Sequence, residues 1–178
     1  MIDEKCSGYG LTELIKKIKR KNIVGLEIGC AEGNTTFHLL SNILNLKLYG
    51  IDPYSEYIDW NGYDLNEDHM NRTIKKFYEK IEPYKDRHFL YREMSDNVID
   101  KFEDESLDFI FIDGLHTYDQ VLKDCKNYYS KVKKGGIFSG HDYTAIEEVN
   151  KAVIEFATDI KIPEIFDVDV DVWYWIKP

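Results

Sequence analysis

The sequence predicts an α/β fold, a Rossmann-like three-layer sandwich on a mostly parallel seven-stranded sheet with an antiparallel last strand. Three observations predict it. Short apolar runs alternate with stretches of helical periodicity, the pattern of βαβ units. Leu107 to Ile112 is almost wholly apolar, as a central parallel strand covered on both faces must be. The tail from Pro163 to Pro178 reads as two strands with no helix between them, and so short a connection cannot make a parallel crossover.

Each element has its own signal. Leu11, Leu14, Ile15 and Ile18 form one stripe of a helix expected over about 11–21, with lysines and Arg20 on its other face. Ile23 to Ile28 reads as a buried strand ending at Gly29. Asn34 or Thr35 can cap a helix running to about Leu44. Leu46 to Ile51 is the second strand, ending at Asp52-Pro53. Tyr54 to His69 is polar and aromatic without a period, which predicts a long loop. Ile74, Phe77, Tyr78 and Ile81 restore the helical stripe, and His88 to Tyr91 is a third strand with His88 expected at the surface. After the fourth strand, at 107–112, Val121, Leu122, Cys125, Tyr128 and Val132 predict a helix that Gly135-Gly136 stops. Ile137 to Ser139 is the fifth strand, and Ile146, Val149, Val153 and Phe156 mark the last helix face. In the tail, Asp167, Asp169 and Asp171 alternate with Val168, Val170 and Val172, which makes one face wet and one buried. A solvated edge, protected by charge from aggregation, is the expectation there rather than a metal site. Trp173, Tyr174 and Trp175 are expected in the core and at an interface.

The 178 residues suit a single domain over 1–178, with a core over 22–178 behind the first helix. Hydrophobic residues make up 43% and charged residues 31%, a globular composition. Against 23 Lys and Arg stand 33 Asp and Glu, a net charge of -10. Such a surface repels phosphate backbones and anionic lipid, so no nucleic-acid or membrane partner is expected. No apolar run approaches the ~20 residues needed to span a bilayer, and the polar start Met1 to Lys5 is unlike a signal peptide. Cys6, Cys30 and Cys125 are odd in number and widely spaced, which fits neither a disulfide framework nor a zinc site. A cytoplasmic location is the expectation.

The chemistry gathers at strand ends. Glu27-Ile28-Gly29-Cys30-Ala31-Glu32-Gly33-Asn34-Thr35 joins the first strand to a helix, and its glycines let the backbone turn sharply and approach a ligand closely. Open α/β sheets bind ligands at the carboxyl ends of their strands, and Asp52 at the end of the second strand can accept both hydroxyls of a ribose. A dinucleotide fingerprint needs Gly-x-Gly-x-x-Gly, but Ala31 and Asn34 stand where its second and third glycines would be. Glu27 before the first glycine suits a cationic methionine moiety better than a pyrophosphate. S-adenosylmethionine (SAM) is therefore preferred to NAD.

These segments, with Tyr49-Gly50-Ile51-Asp52-Pro53, resemble the first two motifs of class I SAM-dependent methyltransferases. Phe111-Ile112-Asp113-Gly114-Leu115-His116-Thr117-Tyr118, and Lys134-Gly135-Gly136 through Gly140-His141-Asp142-Tyr143, are similar to the later motifs. The combination resembles the small metal-dependent O-methyltransferases, including those acting on sugars of natural products. The resemblance spans about Ile23 to Phe156. It implies that Glu27, Gly29, Cys30, Gly33, Asn34 and Thr35 surround the amino-acid end of the cofactor, that Asp52 and Pro53 meet its ribose, and that Met94, Ser95 and Asp96 line adenine. Asp113 falls where cofactor and substrate meet. A homo-oligomer is a further implication of the resemblance.

Asp113 follows the fourth strand and His141-Asp142 the fifth. Neighbouring parallel strands lie roughly 4.8 Å apart, so these side chains can converge on one ion, as the equivalent positions do in the similar enzymes. The cofactor set is thus SAM with a divalent metal, Mg²⁺ or Mn²⁺, although an imidazole ligand shifts preference away from Mg²⁺. His141 as ligand, or Asp113 and Asp142 alone with waters, both stay open. His116 is the candidate general base, since an imidazole near pKa ~6.5 suits proton removal at neutral pH, and Asp119 is its candidate orienting partner. Tyr54, Tyr57, Trp60 and Tyr63 follow Asp52 and suggest a lid stacking on adenine or a sugar ring. His38 is expected to be structural, and His69 is within reach of a substrate. The expected partner is a small molecule carrying a hydroxyl, a sugar or glycan before a catechol. An NAD-dependent oxidoreductase and a non-catalytic SAM-binding domain are the competing readings.

Overall fold

The computed structural model describes residues 8–58, 62–168 and 171–178. Five helices, α1 (Gly8–Ile15), α2 (Asn34–Asn42), α3 (Glu67–Ile81), α4 (Tyr118–Tyr128) and α5 (Glu147–Asp159), are described together with two sheets. The large sheet comprises β1 (Ile23–Ile28), β2 (Leu46–Ile51), β5 (His88–Tyr91), β6 (Leu107–Ile112), β7 (Val132–Gly140), β8 (Phe166–Val168) and β9 (Val172–Ile176). A two-stranded ribbon pairs β3 (Tyr57–Ile58) with β4 (Asp64–Leu65). The large sheet runs in the order β5-β2-β1-β6-β7-β9-β8. β5, β2, β1, β6 and β7 are parallel. β9 pairs antiparallel with β7, and β8 with β9, as the short tail connection requires.

Strand alternation splits the core into two layers. Leu26, Ile28, Ile110, Ile112, Phe138 and Trp173 face α4 and α5, while Phe109, Phe111 and Ile137 face α1, α2 and α3. The three-layer sandwich follows, because each helix stripe finds one apolar face of the sheet. Trp173 and Trp175 are buried as expected. Among the described residues no helix is long and apolar enough to cross a membrane.

Several boundaries differ from the sequence reading. α1 ends at Ile15, short of residue 21, and only turns follow it. α4 ends at Tyr128, and Val132 already begins β7, which runs through Gly135-Gly136. Those glycines sit in a register irregularity opposite Leu107 to Phe109, where Gly135 takes φ 71, a bulge conformation rather than a helix stop. The stretch 54–69 is not one loop: it folds into the β3–β4 ribbon and the first turn of α3, which Asn66 caps by accepting from the His69 amide at 3.0 Å. His88 is buried, not at the surface, because α3 covers it and its ring meets Phe77 edge-on at 5.3 Å. His38 is structural as expected, buried against Tyr9 at 4.3 Å. Asp169 and Val170 lie outside the described residues. Asp171 is not merely solvated: it accepts from the Thr144 and Ala145 amides at 2.5 and 2.9 Å, so the tail braces the loop after β7.

Candidate active site

A cavity of about 500 Å³ opens over the carboxyl ends of β1, β2 and β6. This is the switch point of the sheet, since β2 lies on one side of β1 and β6 on the other. Among the expected cofactor residues, Glu27, Gly29, Cys30, Asn34, Thr35, Asp52, Pro53, Met94, Ser95 and Asp113 all line it. Gly33 does not: it stands at the N-cap of α2 against the Phe77 ring, so its part is in the turn and the packing. Asp96 also stays off the lining, because Lys123 and Asn127 hold its carboxylate.

The glycine loop is fixed from below and behind. Gly29 has φ 86, and a Cβ there would come within 1.9 Å of the Asp113 carbonyl oxygen, so no side chain fits between β1 and β6. Asp52 Oδ2 accepts from the Cys30 and Ala31 amides at 3.0 and 2.9 Å, and Oδ1 accepts from the Tyr54 amide at 2.9 Å. Each oxygen keeps a second lone pair for a ligand. Tyr54 is not a lid. It is buried behind the loop, and its hydroxyl donates to the Ala31 carbonyl at 2.9 Å. Tyr57 lines the cavity from the ribbon, Tyr63 is exposed away from it, and Trp60 lies outside the described residues. His69, on the first turn of α3, also reaches the lining.

Beneath the loop, Glu27 is 1% exposed and accepts from the Thr36 hydroxyl at 2.5 Å. Burial pushes its carboxyl up to about 8; the Thr36 hydrogen bond opposes this, and Asp113 and Asp52 add to it. The expectation of a resident anion is thus corrected: without a ligand, Glu27 carries a proton at neutral pH.

Asp113, His141 and Asp142 converge as expected, with one candidate ligand atom from each lying within 4.8 Å of the others. His141 Nδ1 is 3.2 Å from Asp142 Oδ1 and 3.8 Å from Asp113 Oδ1. Asp142 holds φ 60, a conformation rare outside glycine that marks functional sites when the surroundings enforce it. Two tail residues enforce it here: Asp171 as described, and Trp173, whose indole donates to the His141 carbonyl at 3.2 Å.

His116 Nε2 stands 2.9 Å from Asp142 Oδ2 and 3.5 Å from Asp113 Oδ1. Its neighbours are therefore these carboxylates and not Asp119. α4 begins only at Tyr118, so helical spacing does not tie His116 to Asp119. Burial works against a charged ring, but the hydrogen bonds and charges of Asp113 and Asp142 outweigh it and raise His116 to about 9, above the expected imidazole value. Burial likewise opposes ionisation of Asp142, yet His116 and His141 hold it well below the ordinary carboxylate range.

Sequence reasoning missed Gln120 and Asp124, which line the cavity near Met94 and Ser95. The available signal was their spacing: His116, Gln120 and Asp124 repeat every four residues, one face of a helix.

Comparison with known proteins agrees with this site. A curated relative, an uncharacterized protein of Acanthamoeba polyphaga mimivirus, is 28% identical over 157 residues, 85% of this chain and 66% of the relative. The chain thus spans just under two thirds of that relative's length. The O-methyltransferase NovP has a similar structure, with a TM-score of 0.70 at 17% identity, covering 94% of this chain and 77% of NovP. So has an rRNA methylase from Streptococcus thermophilus, with a TM-score of 0.63 at 11% identity, covering 94% of this chain and 95% of that one. These neighbours share the fold and differ in acceptor, so the fold does not name one. A family model described as a methyltransferase domain matches residues 26–143, more than half of the sequence and every strand tip around the cavity, and the chain belongs to that methyltransferase family.

Proposed function

We propose that this chain transfers a methyl group from SAM to a hydroxyl of a small molecule, a sugar or other polyol, with a divalent cation. The observation that supports it most is a single juxtaposition. His116, Asp113 and His141 share one cavity with the glycine loop and Asp52, so a proton acceptor and a cation-binding set face a nucleoside-binding set. The cavity volume suits a small-molecule ligand, and Glu27, Asp52 and Asp113 suit the cationic end and the hydroxyls of SAM.

SAM supplies a methyl group on a sulfonium, whose carbon–sulfur bond breaks as the carbon–oxygen bond forms and whose sulfur keeps the electron pair. Asp113, His141 and Asp142 would hold a divalent cation, which lowers the pKa of a hydroxyl and fixes its position. Glu27 and Asp52 orient the donor, and the β1–β6 contact at Gly29 keeps the strand tips at one spacing, so alignment is set before reaction. His116 Nε2 takes the hydroxyl proton. It does so only when free of the proton that Asp113 and Asp142 retain there, and these are the carboxylates offered to a cation. The net charge of -10 disfavours an RNA acceptor. A catechol is the second acceptor class, favoured by the apolar lining of Leu65, Met70 and Leu115.

Labelled methyl transfer from SAM to a panel of sugars, polyols and catechols, with and without EDTA, tests the reading. Transfer to a sugar or polyol that EDTA abolishes supports it. Binding of NAD without SAM refutes it, and EDTA-insensitive transfer removes the cation.

A further inference from the structure

One buried carboxyl at the cavity has no part in methyl transfer. Asp124, on α4, is 2% exposed yet lines the cavity beside Met94, Ser95 and Gln120. Its hydrogen bonds all fall on one oxygen. Ser95 Oγ donates to Oδ1 at 2.6 Å, and Gln120 Nε2 donates to Oδ1 at 3.1 Å and to Ser95 Oγ at 3.2 Å. Oδ2 has no hydrogen-bond partner among the described residues, and it is not one of the orphaned side-chain atoms sealed from solvent. A buried carboxyl normally satisfies both oxygens, because an unpaired one loses its hydration without return. Oδ2 is thus an acceptor presented to the cavity and waiting for a donor.

Its place along the sheet says which donor. The cavity runs from Gly29 at the tip of β1, past Asp52 at the tip of β2, to Met94 and Ser95 beyond β5. With a ribose at Asp52, the base of a nucleoside lies at the β5 end, against Ser95 and Asp124. Resting on the SAM reading above, we infer that Asp124 Oδ2 accepts a hydrogen bond from the exocyclic amino group of adenine and so selects an aminopurine over an oxopurine. Hypoxanthine presents a carbonyl oxygen at the same point, and two acceptors then face each other. Burial raises the Asp124 carboxyl to about 6, which leaves it ionised, and an acceptor only, at pH 7.5.

Titration calorimetry at pH 7.5 with S-adenosylhomocysteine and its deaminated analogue S-inosylhomocysteine tests this. The wild-type chain should bind the adenosyl compound roughly tenfold or more tightly. In Asp124→Asn, the Ser95 and Gln120 donors hold the amide oxygen at the Oδ1 position, so the amide nitrogen faces the base and the preference should narrow or invert. A wild-type ratio near one overturns the inference while leaving the SAM reading intact, and needs no variant to fold. Equal weakening of both ligands in Asp124→Asn, with the ratio kept, assigns Asp124 to packing and also overturns it. Binding of neither compound to the wild type overturns the SAM reading, and this one with it.

Discussion

The Thr36 hydroxyl donates to Glu27 Oε2 at 2.5 Å inside a wall that solvent does not reach. One hydroxyl cannot replace the hydration of a carboxylate, so burial dominates and the group holds its proton up to about 8. Its unfolded value is ~4.3. Between these two values the folded chain binds more protons than the unfolded one, so this group makes stability fall as pH rises from about 4 to about 8. Glu27→Gln should remove that slope, on the order of a few kcal/mol across the window. Urea melts from pH 5 to 9 check this, and parallel profiles for the two proteins would contradict it.

His116→Ala should lower kcat by about 10²–10⁴-fold, the usual range for loss of a proton acceptor. S-adenosylhomocysteine affinity should change only a few-fold, because no cofactor contact is assigned to the ring. Steady-state kinetics beside calorimetry separates the two effects. Loss of binding in proportion to kcat would move His116 from proton transfer to cofactor support.

The cation set mixes one imidazole with two carboxylates. That mixture favours Mn²⁺, Fe²⁺ or Co²⁺ relative to Mg²⁺. His141→Asp should therefore shift the activating ion toward Mg²⁺, read as the ratio of Mg²⁺- to Mn²⁺-supported rates after chelation. An unchanged ratio would show that His141 is not a ligand.

Asp108 is 0% exposed at the opposite end of the sheet and binds the Arg20 guanidinium, Lys133 Nζ at 3.0 Å and the Val24 amide at 2.7 Å. Removing one partner of a buried charge set leaves the others uncompensated. Asp108→Ala should cost about 3 kcal/mol in chemical denaturation, with methyl transfer per folded molecule unchanged. A loss under ~1 kcal/mol would mean that solvent already screens the set.

The same cluster shows why one boundary was illegible in sequence. Lys133, Lys134 and Gly135-Gly136 read as the polar end of a helix, yet Lys133 lies in β7 and pairs with Asp108 of β6. That partner is remote in the chain, and periodicity cannot see it. His88 failed for a related reason: a four-residue strand carries too little alternation to show that α3 covers it. Gln120 and Asp124 were open to a helical-face argument, but nothing local marked them as cavity residues until Ser95 arrived from another strand.

Local composition alone determined the order of strands and helices, the glycine turn and the acid at the tip of β2, because apolar periodicity and backbone freedom are properties of neighbouring residues. Only the tertiary structure decided that Glu27 is protonated, that His116 answers to Asp113 and Asp142, and that Asp124 keeps an oxygen for the cavity. Each of these depends on how much water is removed and which remote charges remain, and both are set by packing rather than by the chain's immediate neighbours.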